Sequence, residues 1–95
     1  MRMTLVEESG IHLEYELYEG SPYIHVEITE WSPSKCREYI ALWEDIKTLF
    51  RLDGFKVMRC GVLSERTLNI KFVGMFGFKN VEYRDDQVIV FIQDL

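Results

Sequence analysis

From Ile11 the chain alternates between apolar and polar positions. Ile11, Leu13, Tyr15 and Leu17 point one way, and His12, Glu14 and Glu16 point the other. After Gly20-Ser21-Pro22 the alternation resumes, with Ile24, Val26 and Ile28 set against His25, Glu27 and Thr29. Period two on both sides of a Gly-Pro turn predicts a hairpin with one buried face. A shorter strand over residues 3–7 is expected before it.

At Ser32-Pro33 the period changes. Ser32 suits an N-cap and Pro33 the first turn, where its missing N–H costs nothing. Cys36, Tyr39, Ile40, Trp43, Ile46 and Phe50 then recur at three- and four-residue steps, the apolar stripe of one long helix. Gly54 suits the left-handed residue that ends it. Residues 55–63 read as a strand, followed by a second helix capped by Ser64 and stopped at Gly77. Gly74 inside that helix costs about 1 kcal/mol relative to alanine and reads as a place of close helix–sheet packing. Residues 78–83 and 88–92 form a closing hairpin around Arg84-Asp85-Asp86-Gln87. The run Val88-Ile89-Val90-Phe91-Ile92 is apolar at every position, which predicts an interior strand covered on both faces.

The resulting order is β-β-β-α-β-α-β-β. Strand–helix–strand units with short crossovers favour parallel neighbours and right-handed connections. The hairpins at both ends make the sheet mixed, so the expected fold class is α+β, two helices against a mixed sheet. A chain of 95 residues makes one domain, residues 1–95, able to bury one core without metal or disulfide staples.

Charge narrows the choice of partner. Residues 1–47 carry ten acids and four bases, net −6, and residues 48–95 carry six acids and seven bases, net +1. An acidic N-terminal half speaks against nucleic acid, whose phosphates need a basic stripe. It either attracts a basic partner or serves solubility. No run of about 18 apolar residues and no basic-then-apolar leader is present, so neither membrane insertion nor secretion is expected. Cys36 and Cys60 read as two buried thiols of a reduced, cytoplasmic protein. No ligand pairs stand at zinc spacing. His12 and His25 share the polar face of the hairpin with Glu14, Glu16 and Glu27. A four-residue loop sets Glu16 opposite His25, whereas a two-residue slip pairs His12 with Glu27 and Glu14 with His25. We read this face as solvated charge pairs; the alternative is a metal or acid–base site.

The segment Ser64–Phe78, SERTLNIKFVGMFGF, ending on Gly77-Phe78, resembles the last helix of the GNAT family of N-acetyltransferases. The element order is also similar to the GNAT fold from its second strand to its seventh, over roughly residues 11–95 and most specifically 55–92. The first strand and first helix pair of that fold have no counterpart. The resemblance implies a phosphate-cradling glycine loop before the long helix, but Trp31-Ser32-Pro33-Ser34-Lys35-Cys36-Arg37 contains no glycine. It leaves Ser32, Ser34 and Lys35 as candidate coenzyme contacts. It further implies an Asn and a proton-donating Tyr on the last helix, where this chain has Arg66 and Val73 with Asn69 between them. Glu27 is the candidate general base, on the strand where the family often carries one. The C-terminal half is also similar to a degenerate GNAT-like internal virion protein of short-tailed phages.

The sequence therefore points to a reduced GNAT-like domain without catalysis, acting through protein–protein contacts. A virion component or a host-directed inhibitor would fit, located in the host cytoplasm or the virion. The expected partner is a protein, with self-association one option. Candidate contacts are Trp31 and Arg37 at one corner and Glu14 and Glu16 on the acidic hairpin. The alternatives are a minimal acyltransferase using acetyl-CoA with Glu27 as base, and a domain that senses a coenzyme or nucleotide. Acetyl-CoA is a cofactor only in those alternatives.

Overall fold

The computed structural model describes residues 2–95. Its elements are β1 (Met3–Glu8), β2 (Ile11–Tyr18), β3 (Ser21–Ile28), α1 (Pro33–Leu52), β4 (Val57–Leu63), α2 (Thr67–Met75), β5 (Asn80–Arg84) and β6 (Val88–Asp94). The six strands form one mixed sheet in the order β1-β2-β3-β4-β6-β5. Only β3 and β4 run parallel; every other neighbouring pair is antiparallel. The fold is α+β, with the element order expected from the periodicities.

Both helices lie on the same face of the sheet. The α1 stripe of Cys36, Tyr39, Trp43, Ile46 and Phe50 is buried there, as the three- and four-residue spacing requires. Trp43 stacks on Phe76 at 5.1 Å, packs against Phe78 at 5.5 Å, and donates its indole N–H to the Phe76 carbonyl at 2.8 Å. Gln93 Nε2 donates to the same carbonyl at 3.1 Å, so the open carbonyl at the C-terminal end of α2 is satisfied inside the core. Truncating Trp43 to alanine costs about 3–5 kcal/mol, a large share of the ~5–15 kcal/mol that holds a domain together.

Four local expectations are corrected. Gly74 is exposed and a Cβ there would meet nothing within 4 Å, so it marks no close packing against the sheet. The first hairpin turns at Glu19-Gly20, both at positive φ (52° and 80°), and Pro22 lies within β3, buried opposite Leu17. Two residues in the left-handed region make the tight turn that joins twisted strands, and it selects the slipped register, with His12 opposite Glu27 and Glu14 opposite His25. Ser64 does not cap α2: its hydroxyl donates to the Asp86 carbonyl at 2.7 Å, and the helix starts two residues later behind Arg66 without a side-chain cap. The fourth concerns β6. It is interior between β4 and β5, but only Ile89, Phe91 and Gln93 are covered, on the helix side. Val88, Val90 and Ile92 face the side without helices and stay partly exposed.

Both sheet edges are interrupted. β1 shifts register between Thr4 and Val6, and β5 between Val81 and Tyr83. Such bulges blunt strand-to-strand addition. No described helix is long and apolar enough to cross a membrane.

Candidate functional site

The parallel pair β3/β4 is held at three positions only: Tyr23–Arg59, Ile24–Cys60 and His25–Gly61. Beyond them the strands part. α2 spans the gap with one side chain, Asn69, which is buried in an otherwise apolar stretch. Its Oδ1 accepts from the Ile28 N–H at 3.3 Å and its Nδ2 donates to the Val26 carbonyl at 3.4 Å. These are the backbone groups of β3 that β4 would have paired had it continued alongside. The carboxamide therefore holds the two strands apart without leaving buried polar groups unmade.

On the open face the parting becomes a cleft of about 420 Å³. Its polar wall comes from the hairpin and carries His12, Glu14, His25 and Glu27; its apolar wall carries Val62, Leu63 and Val88. Tyr23 and Gly61 form the floor. The Tyr23 ring lies directly over Gly61, whose missing side chain makes the room, and any Cβ there would meet the phenol oxygen, Cζ and Cε1. Burial, ahead of nearby charges, raises the Tyr23 phenol above its ordinary value.

The polar wall is a set of closed pairs. His12 Nε2 bonds Glu14 Oε1 at 2.8 Å, and His25 Nε2 bonds Glu16 Oε1 at 2.8 Å. Arg2 stands 3.6 Å from Glu14 and 3.8 Å from Glu16. The imidazole bonds are the main reason both carboxyls are held below the usual glutamate value. Glu27 Oε1 accepts from Arg66 Nη1 at 2.8 Å. No group of three or more metal-binding side chains forms among the described residues.

The other sequence candidates lie elsewhere. Ser32 caps α1, accepting from the Lys35 N–H at 3.1 Å, and its hydroxyl meets that of Ser34 at 3.2 Å. Lys35 Nζ is drawn to the Ser9 carbonyl at 3.3 Å and to Glu30 at 3.6 Å. Trp31 is 41% exposed; its other edge packs on Phe72 with ring centroids 4.7 Å apart, and the Lys71 ammonium sits 5.2 Å above the indole. Arg37 is exposed on the first turn of α1. So Trp31 and Arg37 belong to the helix layer and Glu14 and Glu16 to the open sheet face. The fold does not join the two candidate contact surfaces.

Val73 is completely buried in the core. Cys36 and Cys60 are both free and buried, and burial pushes the Cys60 thiol far up, which leaves it unreactive. Sequence reading missed Asn69, Arg66 and the Tyr23–Gly61 pair as parts of the site. Two signals were present: an Asn among the apolar residues of α2, and a Gly in the middle of a strand, which marks a close approach. No protein-family model matches the chain, and neither a curated protein nor a solved structure matches it significantly.

Proposed function

We propose that this chain is a reduced GNAT-like domain that has kept the sheet and lost the chemistry, and that it works by binding another protein. The sheet order, with a single parallel pair that splays where a cleft opens, supports the fold half of this reading. The observation that carries the loss of chemistry is Val73. At the position from which the family's tyrosine protonates the departing thiolate, α2 presents an aliphatic side chain with no exposed surface. A proton donor cannot act from inside the core.

The coenzyme does not fit the residues that would receive it. A pyrophosphate at a helix N-terminus needs free backbone N–H groups and room for close approach. Here Pro33 has no N–H, the Lys35 N–H already serves the Ser32 cap, and the Lys35 ammonium is committed to Ser9 and Glu30. In the cleft, the β3 backbone groups that could receive an extended amide-bearing chain are taken by Asn69. The Glu27 carboxylate is bonded to Arg66.

The test is release of coenzyme A thiol from acetyl-CoA, with spermidine and a lysine-containing peptide as acceptors. Release at the rate of the protein-free blank is expected. Release above the blank that disappears in Glu27→Gln would replace this reading with a minimal acyltransferase.

A further inference from the structure

Of the two candidate contact surfaces, one has its charges matched within the chain and the other does not. On the open sheet face Glu14 and Glu16 are engaged by His12, His25 and Arg2, and Arg59 is bonded to Glu82 across β6 at 2.8 Å. At the Trp31 corner of the helix layer the cations are left over. Neither Arg37 nor Lys71 forms an ion pair among the described residues. The nearby carboxylates are taken: Glu30 by Lys35 at 3.6 Å and by Ser9 at 3.2 Å, and Glu27 by Arg66 at 2.8 Å. Glu38 follows Arg37 directly and so points about 100° away around α1. Neither helix carries an acid in its first turn.

The same corner is apolar at its centre. Trp31 is 41% exposed and Leu68 38%. The indole touches Phe72 and Lys71, and Leu68 stands one turn before both on α2, so the two side chains border one patch. Cys36 Sγ lies 3.8 Å from Met75 Sδ, which brings the first turn of α1, where Arg37 is exposed, against the last turn of α2. Thr67, Lys71 and Gly74 follow at four- and three-residue steps and form the outer ridge of α2, exposed along its length. Gly74 weakens this helix, and no contact within the chain explains it, because a Cβ there would meet nothing within 4 Å. A bare position on an exposed ridge lets the main chain of another molecule come close.

These features select an occupant. An apolar side chain answers Trp31 and Leu68, and carboxylates answer Arg37 and Lys71. The Lys71 ammonium sits 5.2 Å above the indole, so an incoming carboxylate reaches it without breaking an internal ion pair. Nucleic acid fits less well: two cations beside one indole, on a chain of net charge −5, make no basic track for a phosphate backbone. A second copy fits less well too, because its Glu14 and Glu16 are already paired.

Resting on the reading of this chain as a domain that binds another protein, we infer that the partner docks at the Trp31 corner through a segment that carries acidic residues around an apolar anchor. The anchor seats on Trp31 and Leu68, its carboxylates pair with Arg37 and Lys71, and its main chain passes over Gly74.

The probe is a short synthetic peptide with a Leu-Phe pair flanked by glutamates, compared with the same peptide carrying lysines and with oligothymidylate. Trp31 reports on the corner by fluorescence, since Trp43 is 1% exposed. Iodide should quench it more than caesium at equal ionic strength, and Lys71→Gln should remove that preference. The glutamate peptide should shift backbone amides of residues 31–37 and 68–75 and leave β1 and β2 unmoved; the lysine peptide should shift none. Trp31→Ala should weaken the glutamate peptide by about tenfold or more. Arg37→Gln/Lys71→Gln, on exposed side chains, should weaken it severalfold and flatten its salt dependence. Gly74→Ala should raise the Tm of the free protein and still weaken the peptide. Equal quenching by the two ions, no binding of the glutamate peptide, equal binding of the lysine peptide, tighter binding of oligothymidylate, or unchanged affinity in the variants would overturn the docking corner. A protein that ignores the peptide and also fails to turn over acetyl-CoA loses this corner but not the non-catalytic reading. Turnover of acetyl-CoA removes that reading whatever the peptide does.

Discussion

Gly61→Ala tests the geometry of the cleft floor at a single atom. A Cβ at Gly61 would meet the Tyr23 hydroxyl and stand 3.0 Å from both Cε1 and Cζ. Because Oη and Cζ lie on the χ2 axis, rotation about χ2 cannot clear the contact; the ring has to swing about χ1. It then leaves Gly61 and its contacts with Tyr18 at 6.4 Å and His25 at 5.3 Å. A displacement of this kind sits at the low end of overpacking, about 1.5 kcal/mol, or about 6–12 °C in Tm for a domain of this length. In a Tyr23→Ala background the obstacle is gone. The same substitution should then cost nothing, or stabilise by about 0.5–1 kcal/mol through the lower backbone entropy of alanine. The two single variants and the double variant, unfolded in urea, give the coupling energy directly. A cost for Gly61→Ala that is equal in both backgrounds would refute the placement of the ring.

Further outcomes follow from the same contacts. Asn69→Leu removes the bridge to β3 while keeping the volume, and unpairing the Ile28 N–H and Val26 carbonyl should cost about 1–3 kcal/mol in urea unfolding; no loss would show that the bridge holds nothing. Tyr39 is 2% exposed and its hydroxyl is the one fully buried side-chain polar atom without a partner among the described residues. Tyr39→Phe should therefore be neutral or stabilise by up to about 1 kcal/mol, and a clear loss of Tm would mean that the hydroxyl is bonded. Glu14 and Glu16 have folded-state values below the unfolded one, so their contribution is complete above the ordinary glutamate range and is lost as pH falls through the depressed values. The acid limb of a stability–pH curve should accordingly flatten in Glu14→Gln/Glu16→Gln; an unchanged limb would show that the imidazole bonds do not form in solution. Both thiols should resist a disulfide reagent at neutral pH in the folded protein and react once it is unfolded in guanidinium; fast reaction of either in the native state would contradict its burial.

Much of the architecture was readable because it depends on local period. Alternation from Ile11 to Ile28 marked the hairpin, and the spacing from Cys36 to Phe50 marked the face α1 buries. Gly54 and Gly77 stop the helices at φ of 90° and 96°. The errors arose where a local signal had a non-local competitor. Pro22 looked like a turn residue, but Glu19-Gly20 took the turn and so decided which carboxylate each histidine faces. Ser64 had the chemistry of a cap, but its hydroxyl was drawn to Asp86 across the hairpin mouth.

The site was less legible than the fold, for a physical reason. The cleft exists because β3 and β4 separate after His25 and Gly61, and Asn69 fills the gap from 41 residues beyond Ile28. Neither event leaves a periodic trace. The apolar run of β6 did leave one, but it misled in part: the strand is interior to the sheet, and the helices cover it on one face only.

The most direct test is calorimetric titration of the purified, folded protein with acetyl-CoA and with free coenzyme A. No heat of binding up to about millimolar ligand, an affinity weaker than about −4 kcal/mol, is the expected result for a sheet frame whose coenzyme positions are committed within the chain. Saturable binding in about the micromolar range would contradict it, because the α1 N-terminus and the β3/β4 cleft would then accept the coenzyme despite Pro33, Lys35 and Asn69.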